Sequence, residues 1–256
     1  MHSASPHLLA IDIGNTRTKV ACFVAGERRG LWQMPTAGLE AGLAEITAQL
    51  PETCLLRVGW ISVADDLRLE GWACWARFLT PPVFVPIRSI GQLRVRHNYV
   101  TPDTLGIDRI VGVIAAQALA PGCPVLVVDA GTAITYDYAD AEGVYQGGGI
   151  SPGIRMRFQA LHSFTARLPL VEMAENIPLT GNSTYSSIRS GVVHGAGAEV
   201  QGMIDRYCAL AGPSLQVALT GGDILTFENQ LEKVNFANPY LLLDGIHLIL
   251  NQNLSP

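Results

Sequence analysis

The sequence predicts an α/β protein of two similar halves, in each of which helices flank a mixed β-sheet. The first observation is the stretch LLAIDIGNTRTKV, in which an apolar strand ends at Asp12 and is followed by Gly14 and a polar turn. The second is VLVVDAGTAITYDY, which repeats this plan with Asp129 and Gly131. The third is that strand-like and helical patterns alternate between the two stretches. Two copies of one supersecondary unit therefore predict two related halves.

The apolar periodicity places the elements within each half. An opening β-meander precedes strands and helices in alternation, and the glycine triplet 147–149 is predicted as a tight bend. The other predicted elements of the first half are strands 55–63 and 83–86 and helices 39–50, 67–78 and 107–119. Because the last of these helices is followed by Pro121-Gly122, we predict domains at residues 1–120 and 121–256.

Composition excludes several classes of protein. The chain has 256 residues, of which 48% are hydrophobic and 15% charged, so a large core is expected. The net charge of −5 argues against a general nucleic-acid binder. Five cysteines without a Cys-x-x-Cys pair suggest neither disulfides nor a zinc site. No apolar run reaches the roughly 20 residues of a membrane span, and the N-terminal run is too short for a signal peptide. We expect a cytoplasmic protein that binds neither nucleic acid nor membranes.

The polar cluster after the first strand has the chemistry of a phosphate site. Gly14 allows a tight turn whose N–H groups can face an anion, and Lys19 adds a point charge suited to phosphate. Neutral donors of the turn are Asn15, Thr16 and Thr18. Asp12 would repel a bare phosphate, so we expect a hydrated Mg²⁺ between Asp12 and the β- and γ-phosphates of ATP. An ordinary β-hairpin with Asp and Gly at its turn is the alternative.

Three further positions remain open from the residues alone. Asp108 could be a general base or a carboxylate at a helix N-cap, and Thr184 could cap a helix. The pair Gly221-Gly222 could let adenine or ribose approach, although an ordinary strand-to-helix turn explains it better. The residues by themselves reach an ATP-dependent phosphotransferase.

Six motifs give a more specific resemblance. DIGNTRTK, YVTPDTLGIDR, DAGTAIT, GGGISPG, TARLP and GNSTYSSIRSG occur in the order in which the type III pantothenate kinases carry them. The sequence thus resembles that family, within the superfamily of actin-like ATPases and sugar kinases. The resemblance implies two ribonuclease-H-like (actin-like ATPase) halves. It also implies transfer of the ATP γ-phosphate to pantothenate, giving 4'-phosphopantothenate in the first step of coenzyme A biosynthesis.

The resemblance also assigns cofactors, partners and residues. It implies ATP, Mg²⁺, a monovalent cation (K⁺ or NH₄⁺) and a homodimer. Asp108 would be the catalytic base, Asp129 would bind potassium and Asp12 would bind Mg²⁺. The residues expected to bind ATP are Asp12, Ile13, Gly14, Asn15, Thr16, Arg17, Thr18, Lys19 and Thr132. Those expected to bind pantothenate are Tyr99, Gly106, Ile107, Asp108, Arg109 and Thr184.

Two other functions stay open beside this one. The first is a nucleotide-binding regulatory protein of the same fold, although a protein without catalysis has no physical need for the base Asp108. The second is a kinase for another small alcohol, which only the substrate motif argues against. The apolar segment 149–164 could supply a helix to the dimer interface or could lie in the core.

Overall fold

The structure, a computed structural model, describes residues 6–62, 67–228 and 230–252. The chain forms two compact units. The first contains the described residues up to Val95, residues Val100–Ala115 and those from Tyr240 onward, and the second contains residues Arg96–Tyr99 and Ala116–Pro239. The domain boundary placed between residues 120 and 121 stays a prediction.

The first unit is built on a five-stranded sheet with the order β3-β2-β1-β4-β5. Its strands are β1 (His7–Ile13), β2 (Arg17–Val24), β3 (Glu27–Pro35), β4 (Leu56–Ser62) and β5 (Val83–Pro86). The first three strands pair antiparallel, which confirms the predicted meander. β4 then pairs parallel with β1, and β5 pairs parallel with β4. β1 is apolar on both faces because it is the central strand.

Helices pack on this sheet as α1 (Leu39–Ala48), the first part of α2 (Ile107–Leu119) and α6 (Leu241–Gln252). The bounds of α2 are those that the sequence predicts. One core cluster contains Leu9, Ile11, Leu43 and Trp60. Trp75 is buried in the same cluster and Trp72 packs against it.

The helix predicted at residues 67–78 was wrong. Two short 3-10 helices, Leu69–Gly71 and Ala73–Arg77, occupy this segment. Gly71 has a poor helix propensity and ends the first of them. The buried indole of Trp75 donates a hydrogen bond to the Leu69 carbonyl oxygen (2.6 Å). The path of this segment is therefore set by the packing of its tryptophans, and the helical spacing of its apolar residues does not produce an α-helix. Further 3-10 turns lie at Thr36–Gly38, Ile90–Gln92 and Pro102–Thr104.

The second unit repeats the first sheet. Its strands are β6 (Val125–Ala130), β7 (Ala133–Ala139), β8 (Tyr145–Pro152), β9 (Gln216–Thr220) and β10 (Phe236–Ala237). The order β10-β9-β6-β7-β8 is that of the first sheet in reverse listing, with an antiparallel meander followed by two parallel strands. The two copies of the strand-turn-strand unit thus begin sheets of the same topology, which confirms the two similar halves.

The glycine triplet 147–149 lies within β8, so the predicted tight bend was wrong. Gly147 has a φ of +103°, and the register between β7 and β8 shifts next to Tyr138. A Cβ on Gly148 would lie 1.6 Å from the carbonyl oxygen of Tyr136, which no side chain could tolerate. The glycines therefore permit an irregular, closely paired strand.

The helices of the second unit are the end of α2, α3 (Ile154–Ser163), α4 (Thr184–Ala211) and α5 (Ile224–Glu228). Ser183 caps α4 by accepting a hydrogen bond from the Ser186 N–H. Apolar residues of α4, including Ala196 and Val200, pack in the core of this unit with Val128 of β6. Among the described residues, no helix is both long and apolar enough to cross a membrane.

Candidate active site

The turn between β1 and β2 carries most of the predicted phosphate-binding residues. The N–H of Gly14 donates to the Arg17 carbonyl oxygen (3.1 Å), which closes the turn. A Cβ on Gly14 would lie 2.9 Å from that same oxygen, so the turn requires glycine. Asn15, Thr16 and Arg17 are exposed, whereas the side chain of Ile13 belongs to the core. The turn therefore presents a short polar edge to solvent.

Thr36, which the sequence did not single out, braces this turn. Its hydroxyl donates to the carbonyl oxygen of Gly14 (2.8 Å), and its N–H donates to the carbonyl oxygen of Thr16 (3.0 Å). The hydroxyl of Thr18 is fully buried and lies 3.1 Å from the Thr36 hydroxyl. Thr18 thus faces the inside of the turn, while its neighbours on the turn face solvent.

Asp12 lies at the end of β1 in an unfavourable place for a charge. Burial raises the pKa of its carboxyl group from 3.8 to about 6, Lys19 opposes the shift, and the negative charge of Asp108 adds to it. Lys19 is the residue paired with Asp12 across β1 and β2. The negative charge of Asp108 thus disfavours the ionised form of Asp12. A cation bound beside them would relieve this repulsion.

Asp108 lies in the first turn of α2 rather than at its N-cap. One oxygen of its carboxylate accepts a hydrogen bond from the N–H of Arg109 (2.9 Å). A Cβ on Gly106 would lie 2.5 Å from that oxygen, so the missing side chain makes room for the carboxylate. Ile107 and Arg109 are both only 8% exposed. The segment therefore offers one partly exposed acid on a firmly packed helix start.

The turn between β6 and β7 repeats the first turn in the second unit. Asp129 ends the apolar run of β6 and is partly exposed, and Thr132 is exposed. The N–H of Gly131 donates to the Ala133 carbonyl oxygen (3.0 Å), and the N–H of Gly153 donates to the Thr132 carbonyl oxygen (3.1 Å). The backbone of this turn is thus held from β7 and from the start of α3.

Two glycines let neighbouring segments reach this second turn. A Cβ on Gly153 would lie 2.2 Å from the Gly131 carbonyl oxygen, and a Cβ on Gly221 would lie 2.2 Å from that of Ala130. Gly221 also has a φ of +104°, and α5 begins three residues later. The Gly-Gly pair is therefore a strand-to-helix turn that packs on Ala130. Burial raises the pKa of Asp223 beside it.

An ion pair and several hydrogen bonds hold Ser151 and Pro152, the two residues that precede Gly153. Arg157 of α3 donates to the Pro152 carbonyl oxygen (2.8 Å) and forms an ion pair with Glu199 of α4 (2.6 Å). Ser151 also donates to Glu199 (2.5 Å). Burial alone would raise the pKa of Glu199, but the hydrogen bonds from Ser151 and Arg157 outweigh it and lower the pKa. In the sequence, the only indication of this network is the GGGISPG motif, which contains Ser151 and Pro152.

Tyr99 lies in the part of the substrate motif that belongs to the second unit. Its ring is 5.9 Å from the ring of Tyr145, centroid to centroid, at an interplanar angle of 36°. It also borders Gly147, whose Cβ position is 3.5 Å from the Tyr99 ring.

Thr184 is the first residue of α4, next to the capping Ser183, and is exposed. It borders an open groove of about 760 Å³ in the second unit together with Arg157, Leu168 and Ser187. The groove is lined by α3, α4 and the chain between them. It could hold a ligand or an apolar side chain of another molecule.

The predicted residues therefore divide between the two units. The first unit holds the β1–β2 turn and the segment from Gly106 to Arg109, and the second holds Tyr99, Asp129, Thr132 and Thr184. Within the described ranges, no group of three or more His, Cys, Asp or Glu side chains is arranged to hold a metal ion. A Mg²⁺ bound with ATP needs only one or two carboxylates beside the phosphates, and Asp12 fits that requirement.

Solved structures with the same fold confirm the fold class. A Campylobacter jejuni protein named for the Baf family of transcriptional activators is 21% identical, with a TM-score of 0.60 over 96% of this chain and 98% of that chain. A Sinorhizobium meliloti protein named for 2-dehydro-3-deoxygalactonokinase is 15% identical, with a TM-score of 0.54 over 97% of this chain and 100% of that chain. At these identities the likeness shows the fold alone, which is that of actin-like ATPases and sugar kinases.

The sequence itself matches a narrower group. The family model for type III pantothenate kinase matches residues 8–206. The type III pantothenate kinase of Bacteroides fragilis is 47% identical over 252 residues, covering 96% of this chain and 98% of the relative. A match of this identity over nearly the full length of both proteins shows the family. The chain belongs to the type III pantothenate kinase family.

Proposed function

We propose that this kinase transfers the γ-phosphate of ATP to the primary hydroxyl of pantothenate, with Asp108 as the general base. The observation that carries the proposal is the Asp108 carboxylate at the start of α2, fixed by the Arg109 N–H and given room by Gly106. Membership of the family supports the substrate. The product, 4'-phosphopantothenate, would enter coenzyme A biosynthesis.

In the proposed reaction, the hydroxyl oxygen of pantothenate forms a bond to the γ-phosphorus. The bond between that phosphorus and the oxygen bridging to the β-phosphate breaks, ADP leaves, and the hydroxyl proton passes to Asp108. Arg109 and the backbone of Gly106 and Ile107 would hold the substrate. Tyr99 and Thr184 are its other proposed contacts. Positioning and charge neutralisation supply most of the rate.

The β1–β2 turn is the proposed phosphate site. Lys19 would contribute a charge, the exposed backbone and side chains at residues 14–17 would contribute donors, and the buried Thr18 would keep the turn in shape through Thr36. Thr132 is a further proposed contact of ATP. Asp12 would hold Mg²⁺, which when bound neutralises phosphate charge.

A monovalent cation, K⁺ or NH₄⁺, is proposed at Asp129. The two halves differ at this point of their shared topology. Asp12 has Lys19 as its partner across the strand pair, whereas Asp129 has the uncharged Thr135. The DAGTAIT motif of the family, which contains Asp129, supports this assignment, and a bound cation would offset phosphate charge.

A homodimer is also proposed, with the surface around α3 and the start of α4 as its interface. Phe164 at the end of α3 is 88% exposed, and Met156, Leu170 and Tyr185 are also exposed. Exposed large apolar side chains on α3, on α4 and in the chain between them favour association. Thr184 lies in the same region, so a partner could approach its proposed substrate contact.

Replacing the base tests the reaction itself. Asp108→Asn should lower turnover by about 10²- to 10⁴-fold, because the amide cannot accept the hydroxyl proton. ATP affinity, measured by calorimetry, should be retained. Turnover is followed as pantothenate-dependent ADP release in a coupled assay. The control is Asp103→Asn, an exposed acid in the same motif, which should keep turnover. An Asp108→Asn enzyme with wild-type turnover would show that another group takes the proton.

The ionised carboxylate of Asp12 should lower the free energy of unfolding of the ligand-free protein. Its pKa is raised to about 6, so between about pH 4 and 6 the folded protein binds more protons than the unfolded chain, and stability falls as the pH rises. Asp12→Asn removes this penalty. Without metal or nucleotide, the variant should be more stable than the wild type by about 1–3 kcal/mol at pH 8 and nearly equal to it at pH 4.

The measurement is urea unfolding at both pH values. Glu45→Gln, which neutralises an exposed carboxylate on α1, should show no such pH-dependent gain. A loss of stability in Asp12→Asn at pH 8 would mean that the attraction of Lys19 outweighs burial.

The proposed cation site predicts a change in activation. Asp129→Ala should bring the ratio of turnover in potassium buffer to turnover in sodium buffer down to about one, because the carboxylate that would bind potassium is lost. A thermal shift in the two buffers gives a readout that does not need turnover. Asp205→Ala, an exposed acid of the same unit, should keep the wild-type ratio. Persistent activation in Asp129→Ala would place the cation elsewhere.

The proposed interface predicts the state of association. Phe164→Ser should shift the protein from dimer toward monomer in sedimentation velocity, since it removes a large exposed apolar side chain. Leu79→Ser, at a 74% exposed position of the first unit, is the matched control and should leave the dimer intact. A monomeric wild type would refute the dimer, and an unchanged Phe164→Ser dimer would refute this surface.

A further inference from the structure

Asp137 of β7 is a buried carboxylate that the proposed reaction does not use. It is 1% exposed, and both of its oxygens accept hydrogen bonds. Tyr145 donates to one oxygen (2.8 Å) and Thr135 to the other (2.9 Å). Tyr145 is itself fully buried, at 0% exposed. A buried carboxylate is unfavourable unless hydrogen bonds compensate it, so the geometry of the tyrosine hydroxyl is strongly constrained.

The backbone of Tyr145 holds the start of the substrate motif. Its N–H donates to the Arg96 carbonyl oxygen (2.9 Å), and its carbonyl oxygen accepts from the Asn98 N–H (2.9 Å). These two bonds form a parallel bridge at His97. The Asn98 side chain also donates to Gln146 (2.8 Å). The chain on either side of His97 is thus fixed to β8 just before Tyr99.

The ring of Tyr145 is the support for the ring of Tyr99. The two centroids are 5.9 Å apart, which is within the range of favourable aromatic pairs. The Tyr99 ring also lies beside Gly147 of β8, at ordinary van der Waals distance from the position of a Cβ there. The buried hydroxyl fixes one end of the Tyr145 ring, and the backbone bridge fixes the other, so Tyr99 packs on a platform that cannot turn freely.

We infer that Asp137 and Tyr145 are positioning residues that set the pantothenate affinity through Tyr99. The inference rests on the proposed function, in which Tyr99 contacts pantothenate. Neither residue would touch the substrate. Removing the Tyr145 hydroxyl should loosen its ring and, with it, the Tyr99 platform, while the sites for ATP stay intact.

The experiment is a steady-state comparison of Tyr145→Phe with the wild-type enzyme. The variant should raise the KM for pantothenate about tenfold, with kcat and the KM for ATP unchanged, because a small misplacement of a substrate contact is costly. Tyr138→Phe is the matched control, since Tyr138 lies on β7 and packs on Tyr207 instead. Asp137→Asn should retain the wild-type KM, because the amide oxygen still accepts from Tyr145.

A double-mutant cycle with Tyr99→Ala separates this role from a general loss of stability. If Tyr145 acts through Tyr99, Tyr145→Phe should have no further effect on the pantothenate KM once the Tyr99 ring is gone. An equal effect in both backgrounds, or an unchanged KM in Tyr145→Phe, would overturn the inference. A wild-type protein that releases no ADP on addition of pantothenate would instead overturn the proposed function itself.

Discussion

Both halves of the chain depend on one constraint: a polar turn must be held in a fixed shape at the end of a buried strand. A free turn would lose conformational entropy each time it closed on a phosphate. In the first half Thr36, 22 residues from Gly14, fixes the turn with its hydroxyl. In the second half Gly153 and Gly221 bring two other segments against it. The same preorganisation is reached by a side chain in one half and by glycine contacts in the other.

In the first unit, the charge of Asp12 is unfavourable at the buried end of its strand. The strand end puts Asp12 where burial and Asp108 both disfavour its ionised form, and Lys19 offsets only part of this effect. An apolar residue there would suit the sheet better, because its neighbours in β1, residues 8–11 and Ile13, are apolar and buried. Such an arrangement is understandable when the missing partner is a cation that arrives with the nucleotide. The unfavourable burial of a carboxylate thus lies where a bound cation would relieve it.

Sequence patterns predicted the elements that depend mainly on residues near one another in the chain. The bounds of α2 follow from its apolar spacing and the Pro-Gly after it, and the strands that end one residue beyond Asp12 and Asp129 follow from their apolar runs. The segment 67–78 failed because buried tryptophans and Gly71, not a helical repeat, decide its path. Thr36 and Asp137 were not singled out from the sequence, because their hydrogen bonds arise only when the chain folds. Roles such as the general base came from the family motifs rather than from spacing.

The two sheets share a topology but differ in the polar residues that their strands carry. The first sheet pairs its strand-end acid with a lysine, and its unit holds the carboxylate of Asp108. The second pairs Asp129 with a threonine, and places Asp137 two residues beyond Thr135 on the same face of β7. That face continues to Tyr145, whose hydroxyl reaches Asp137. In the proposed function, the charged residues of the first unit would serve phosphate and proton chemistry, whereas Asp137 of the second would support Tyr99 through Tyr145.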